Sequence, residues 1–128
     1  MGQEVIWIIT QFITDTKGAD NMFEDYFKKT IVINLDKRPD RIDRFVSRVK
    51  PLGGVLGKNI ERFAAIDGNA IPEKDRNNWS AGAAGCKQSH VDIITDCRKN
   101  NIKSVLILED DVTFIPDFKK QFELFMKD

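Results

Sequence analysis

A surplus of charge of either sign is the first thing this sequence lacks. Its 128 residues carry twenty Lys and Arg against twenty Asp and Glu, a formal net charge of zero. A general binder of nucleic acid or of anionic membranes carries a basic excess, so the balance argues against that class. Cysteine is scarce: there are two, Cys86 and Cys97, eleven residues apart on one predicted helix. At the helical rise they stand roughly 16 Å apart, too far for a disulfide. Both are expected to be reduced, small buried hydrophobes, as in a cytoplasmic protein. His90 is the sole histidine, so no pair of Cys or His has metal-ligand spacing. There is no glycine-rich phosphate loop, no internal repeat and no low-complexity tract. Long apolar runs are missing as well. Val5 to Ile13 is far too short to span a bilayer, and it lacks the basic leader and cleavage site of a secretory signal. No transmembrane segment is expected. The length suits one domain with a real core, and not two.

What is present is organised around Val105-Leu106-Ile107-Leu108-Glu109-Asp110-Asp111-Val112. An aliphatic run of this kind reads as a strand buried on both faces. Unpaired buried carboxylates are very costly, so the three acids must sit where the strand leaves the sheet. In open α/β sheets that end binds ligands. Three adjacent carboxylates repel one another and call for a cation, and a hard divalent ion with oxygen ligands suits them. The plainer alternative is that one acid caps the next turn and the others are solvated.

Along the chain, residues 1–22 read as an N-terminal extension and 23–128 as the domain proper. Val5 to Ile9 is either a short strand or a helix, and Thr14 to Asn21 is turn chemistry. Thr30 to Leu35 is a buried strand. Pro39 suits the first position of a helix reaching about Val49, with Ile42, Phe45, Val46 and Val49 as its apolar stripe. Arg41, Arg44 and Arg48 share a neighbouring face. Glu61 to Asp67 reads as a third strand and residues 69–82 as a long loop. A helix is expected from about Ala83 to Lys99, with Cys86, His90, Ile93, Ile94 and Cys97 as its buried stripe. A last amphipathic helix should start at Pro116 and turn Phe118, Phe122, Phe125 and Met126 inward. This alternation predicts an α/β sandwich with a mostly parallel sheet.

Parallel strands share one carboxyl rim. It would gather Asp36, Lys37, Arg38 and Arg41, then Asp67 and Gly68, then Glu109, Asp110 and Asp111. A phosphate-bearing ligand with a bridging metal would satisfy both signs of charge. Small residues at 81–85 allow a close backbone approach. His90 lies on an apolar stripe, where a hydrogen-bonded core histidine is commoner than a base. Ser89 has no activating base beyond its neighbour His90, which argues against nucleophilic serine chemistry.

Four segments in order carry a resemblance: Ile33-Asn34-Leu35-Asp36-Lys37-Arg38-Pro39-Asp40-Arg41, Phe63-Ala64-Ala65-Ile66-Asp67-Gly68, Gly85-Cys86-Lys87-Gln88-Ser89-His90 and Leu106-Ile107-Leu108-Glu109-Asp110-Asp111. Together they resemble glycosyltransferase family 25, which includes lipopolysaccharide-core and collagen-type galactosyltransferases. The resemblance implies a GT-A-like, Rossmann-like sandwich. It also implies metal-dependent, inverting transfer of a hexose, galactose or glucose, from a UDP-sugar to a hydroxyl on a glycan, lipopolysaccharide or protein. It assigns Asn34, Asp36, Arg38, Arg41, Asp67, Gly68, Glu109 and Asp110 to the donor, and Asp111 with Glu109 to Mn²⁺ or Mg²⁺. The catalytic base stays unassigned, with His90 a weak candidate. Family domains continue well beyond the acidic motif, whereas seventeen residues follow Asp111 here. The chain is therefore expected to be the donor-binding half, truncated after that motif and completed by a missing half or by an oligomeric partner. The alternative is a non-catalytic nucleotide-sugar-binding fragment or assembly module. A receiver-like or phosphatase-like domain fits less well, because its paired acids follow the first strand and here the acid cluster comes last.

Overall fold

The computed structural model describes residues 5–9, 12–15 and 22–116, together with 120, 121, 124 and 125. In chain order the elements are β1 (Val5–Ile9), β2 (Phe12–Asp15), α1 (Met22–Asp25), β3 (Lys29–Asn34), α2 (Pro39–Val49), β4 (Glu61–Ala64), α3 (Ala81–Lys99), β5 (Ser104–Glu109) and β6 (Thr113–Pro116). The main sheet has the order β1-β5-β3-β4, and every neighbouring pair is parallel. β2 and β6 form a separate parallel pair.

The two inner strands explain the aliphatic runs. Side chains of a strand alternate between its faces, so a strand covered on both sides must be apolar at every position. Val32, Leu106 and Leu108 pack on one face with Phe23 of α1 and with Phe45 and Val49 of α2. Ile31, Ile33, Val105 and Ile107 pack on the other with Ile93 and Cys97 of α3. The result is a Rossmann-like α/β sandwich in three layers. Each fully buried Leu or Ile contributes roughly 1.5–3 kcal/mol, so β3 and β5 anchor the fold. Among the described residues no helix is long and apolar enough to cross a membrane.

The helix ends follow from local chemistry. Pro39 opens α2, and Asp40 sits in its first turn where the dipole favours a carboxylate. The chain leaves α2 through a 3₁₀ turn over Lys50–Leu52, and Gly53 adopts φ 84° there, a value that favours glycine. Ser80 caps α3 by accepting from the Ala83 N–H at 3.2 Å.

Several sequence expectations are corrected. The third strand stops at Ala64, short of Asp67, because Asp67 folds back to accept from the Asn69 N–H and opens a 3₁₀ turn. Helix α3 begins two residues earlier than its apolar period, since its first turn is set by the Ser80 cap. On α2, Val46 of the expected stripe is exposed. Pro116 ends strand β6 where a helix start was expected; a strand without an outer neighbour tolerates its missing N–H. Lys120, Gln121, Leu124 and Phe125 are helical, but Phe125 is exposed and does not turn to the core. Phe118, Phe122 and Met126 lie outside the described residues. Val5–Ile9 is an edge strand paired with β5.

Candidate functional site

Strand register puts the three motif-bearing loops on one rim. Ile33 pairs with Glu109, and Asn34 with Ala64, so β3, β4 and β5 end at the same level. The loops after them surround a cleft of about 300 Å³. Ile33, Leu35, Ala65 and Ile66 supply apolar wall. Lys37, Arg41, Asp67, Glu109, Asp110 and Asp111 supply charge of both signs.

The acidic triplet is divided among three environments. Asp110 is buried at 7% exposure, yet it is fully engaged. Its Oδ2 accepts from Asn34 Nδ2 at 2.7 Å and its Oδ1 pairs with Arg41 at 2.8 Å. The same Arg41 nitrogen reaches Asp111 Oδ2 at 3.2 Å. Arg41 is thus an internal cation for two of the three mutually repelling carboxylates. Glu109 turns toward α3 and accepts from the Cys86 thiol at 3.0 Å. Arg48 donates to the backbone carbonyls of Asp110 and Val112 at 3.3 and 3.5 Å, holding the turn itself. Burial, and then the bond to Glu109, push the Cys86 thiol up to about 12.

Asn34 connects this turn to the rest of the rim. Its Oδ1 accepts from Arg62 Nε at 3.0 Å, which fixes the amide so that Nδ2 faces Asp110 and the Arg38 carbonyl. Arg62 also donates to the Asn34 carbonyl at 3.1 Å and to Asp36 at 2.6 Å. On the facing wall, Lys37 pairs with Asp67 at 3.0 Å across the two loops. The Asn69 N–H, then Lys37, hold the Asp67 carboxyl below its usual range.

The small residues before Cys86 have a local cause. A Cβ on Gly85 would overlap the Ile66 carbonyl and Gly68 N, and one on Gly68 would overlap the Ala81 carbonyl. The start of α3 therefore lies directly against the loop after β4. Ser89, fully buried, fastens that contact by accepting from the Ile66 N–H at 2.9 Å and donating to the Gly85 carbonyl at 2.8 Å.

Of the sequence candidates, the cleft brings together Arg41, Asp67, Gly68, Glu109, Asp110 and Asp111. Asn34 lies beneath it as a positioning group. Asp36 is exposed and paired with Arg62. Arg38 forks onto Asp40 and faces a second concavity, of about 220 Å³, beside α2. Arg38, then Arg44, hold the Asp40 carboxyl far below the usual carboxylate range. His90 is not on the cleft wall: its Nδ1 lies 2.8 Å from the Cys86 carbonyl and so carries the proton. Its Nε2 is buried with no partner among the described residues. Sequence reasoning missed the bond between Cys86 and Glu109, the turn-holding role of Arg48 and the amide lock by Arg62. An Asn closing an otherwise aliphatic strand was the available signal for the last.

Among the described residues, no three His, Cys, Asp or Glu side chains form a metal-binding group. A hard ion bound here would therefore have to share its ligands with a bound phosphate. Asp111 is engaged only through Oδ2 and Glu109 only through Oε1 among the described residues, which leaves each a carboxylate oxygen for such an ion.

Comparison with known proteins settles the kinship. Residues 27–128 match the family model Glycosyltransferase family 25 (LPS biosynthesis protein). The chain belongs to glycosyltransferase family 25. Among its relatives is the procollagen lysyl hydroxylase and glycosyltransferase of Acanthamoeba polyphaga mimivirus, 31% identical over 76% of this chain and 13% of that protein. A glycosyltransferase 25 family member of Anopheles gambiae is 27% identical, covering 70% of this chain and 17% of its own length. A probable inactive glycosyltransferase 25 family member 3 of Bos taurus is 28% identical, over 80% of this chain and 19% of that protein. The chain thus spans less than a fifth of these three relatives. No solved structure matches it.

Proposed function

We propose that this family 25 chain carries the donor-binding site of a hexosyltransferase that takes galactose or glucose from a UDP-sugar and passes it, with inversion, to a hydroxyl acceptor. The reading is carried by one observation: four carboxylates, a lysine and an arginine from three distant segments share a single cleft at the carboxyl rim of a parallel sheet. A nucleoside diphosphate needs an apolar slot for its base and positive charge for its phosphates. Ile33, Leu35, Ala65 and Ile66 offer the first, and Lys37 and Arg41 the second. Asp111 and Glu109 are the residues that would hold Mn²⁺ or Mg²⁺, which when bound neutralises charge developing on the leaving diphosphate. Asp110 has a different part. With both oxygens occupied, it keeps Arg41 and the acidic turn in place. Glycan, lipopolysaccharide and protein hydroxyls are the acceptor classes the family suggests. The acceptor proton goes to a general base that the described residues do not assign.

The test is calorimetric titration of UDP with and without Mn²⁺, on the native chain and on Asp111→Ala. Metal-dependent binding is expected, weakened at least tenfold by the substitution. Binding that is indifferent to both metal and residue 111 would sink the reading. A second reading, a non-catalytic nucleotide-sugar-binding module, is favoured by the extent to which the acids already have partners and by relatives named inactive. Metal-dependent UDP binding with no hydrolysis of UDP-galactose or UDP-glucose would select it.

A further inference from the structure

Trp79 has no place in the cleft or in either core cluster. It is 47% exposed, the only exposed aromatic among the described residues 23–114. The backbone before it is unusual: Asn77 and Asn78 both take left-handed conformations, at φ 51° and 67°. Asparagine tolerates that region better than other non-glycine residues, so the pair forms a tight turn just before the ring. The turn ends with the Trp79 N–H bonded to the Arg76 carbonyl at 2.9 Å. Lys87, from the second turn of α3, lies 4.9 Å from the ring centroid and steadies the indole by a cation–π contact. The ring is therefore held in place with much of its surface open to solvent. Gly82, three residues on, lines the cleft, and three residues of chain reach at most about 11 Å.

We infer that Trp79 is the stacking platform of a sugar subsite at the α3 rim of the cleft, and that it receives a pyranose ring of the acceptor. A pyranose has one face of C–H groups and an edge of hydroxyls. A flat, fixed indole suits the first, since it gives large contact area at small conformational cost. The Lys87 ammonium lies over the ring and Asn77 and Asn78, exposed, precede it in the chain, so polar groups that can take the hydroxyls are close by in sequence. In the proposed function the donor occupies the cleft itself, which Arg41 and the acidic turn line. The inference rests on the transferase reading in one respect: a hexosyltransferase needs a second surface beside the donor, and the open indole near the α3 end of the cleft can serve as one.

The sequence has two tryptophans, Trp7 and Trp79, so ¹⁵N-labelled protein gives two indole N–H signals, and Trp79→Phe identifies which is which. Methyl β-galactopyranoside and methyl β-glucopyranoside are titrated first, then UDP with Mn²⁺. The Trp79 signal is expected to move saturably with a glycoside, also in Asp111→Ala. Trp79→Ala should weaken glycoside binding by roughly tenfold, while Trp79→Phe keeps most of it. Unchanged UDP binding and an unchanged melting temperature in Trp79→Ala would show that the fold and the donor site are intact. No shift with either glycoside overturns the inference, even if UDP still binds. A shift seen only with UDP-galactose or UDP-glucose overturns it too, by placing Trp79 on the donor side. Glycoside shifts without any UDP binding would support the subsite and remove the transferase reading, so the two can fail separately.

Discussion

Arg41 does for Asp110 and Asp111 what an isolated acidic triplet cannot do for itself. A buried carboxylate is tolerable only with charge-assisted partners, and Asp110 has two. Asn34→Ala removes one of them, and should cost about 2 kcal/mol in urea unfolding, the value of a hydrogen bond to a charged group. Arg62 touches the same amide from a more exposed position, and its pair with Asp36 is a surface pair of small worth. Arg62→Ala is expected to cost less than about 1 kcal/mol. Equal losses for the two variants would mean that Asn34 matters as a partner of Arg62 and not of Asp110. Cys86 carries a pH signature. Its thiol, raised from 9.0 to about 12, keeps its proton in the folded chain over a range where the unfolded chain loses it. The native state then binds more protons, so stability falls as pH rises between those two values. Unfolding followed from pH 8 to 11 should show a decline that is shallower in Cys86→Ala. At pH 8, iodoacetamide should label Cys86 slowly although it lines the cleft.

At the scale of elements, the tightest join is between α3 and the loop after β4. Gly85→Ala adds one methyl where the Ile66 carbonyl already lies. It should cost roughly 1–3 kcal/mol, as overpacking does, and lower the melting temperature without altering the helix content seen by circular dichroism. Ser89→Ala leaves the Ile66 N–H unpaired, and should lose about 1–3 kcal/mol. A Gly85→Ala chain as stable as the native one would mean that the helix can slide off the loop. These contacts also mark how far the sequence could be read. β3 and β5 were legible because burial on both faces leaves an unbroken aliphatic run. The start of α2 was legible from Pro39. The early start of α3 was not, because Ala81-Gly82-Ala83-Ala84-Gly85 carries no apolar period; its reason is a backbone contact between segments distant in the chain. β6 was hidden for a related cause: its partner β2 lies about a hundred residues away, and periodicity reports only local neighbours. Within the site, composition announced the acidic turn and the arginines, but not which guanidinium faces which carboxylate. Arg38 and Arg41 look alike in sequence, yet one is held by Asp40 and the other by the acidic turn.

At the scale of the whole molecule, strand order carries a consequence of its own. β5 sits inside the sheet, with β1 on one side and β3 on the other, so Val5 lies across the ladder from Ser104. Pairings between such remote residues form slowly, because a long loop must close before they give anything back. As the chain leaves the ribosome, β1, β3 and β4 emerge first and must wait, with edges and apolar faces uncovered, for the strand that fills the gap between them. That strand carries Glu109 at its end. The arrival that completes the core also delivers the acidic turn to Asn34 and Arg41. The cleft is therefore the last feature of the sheet to take shape, because its acidic side arrives with the strand that closes the core.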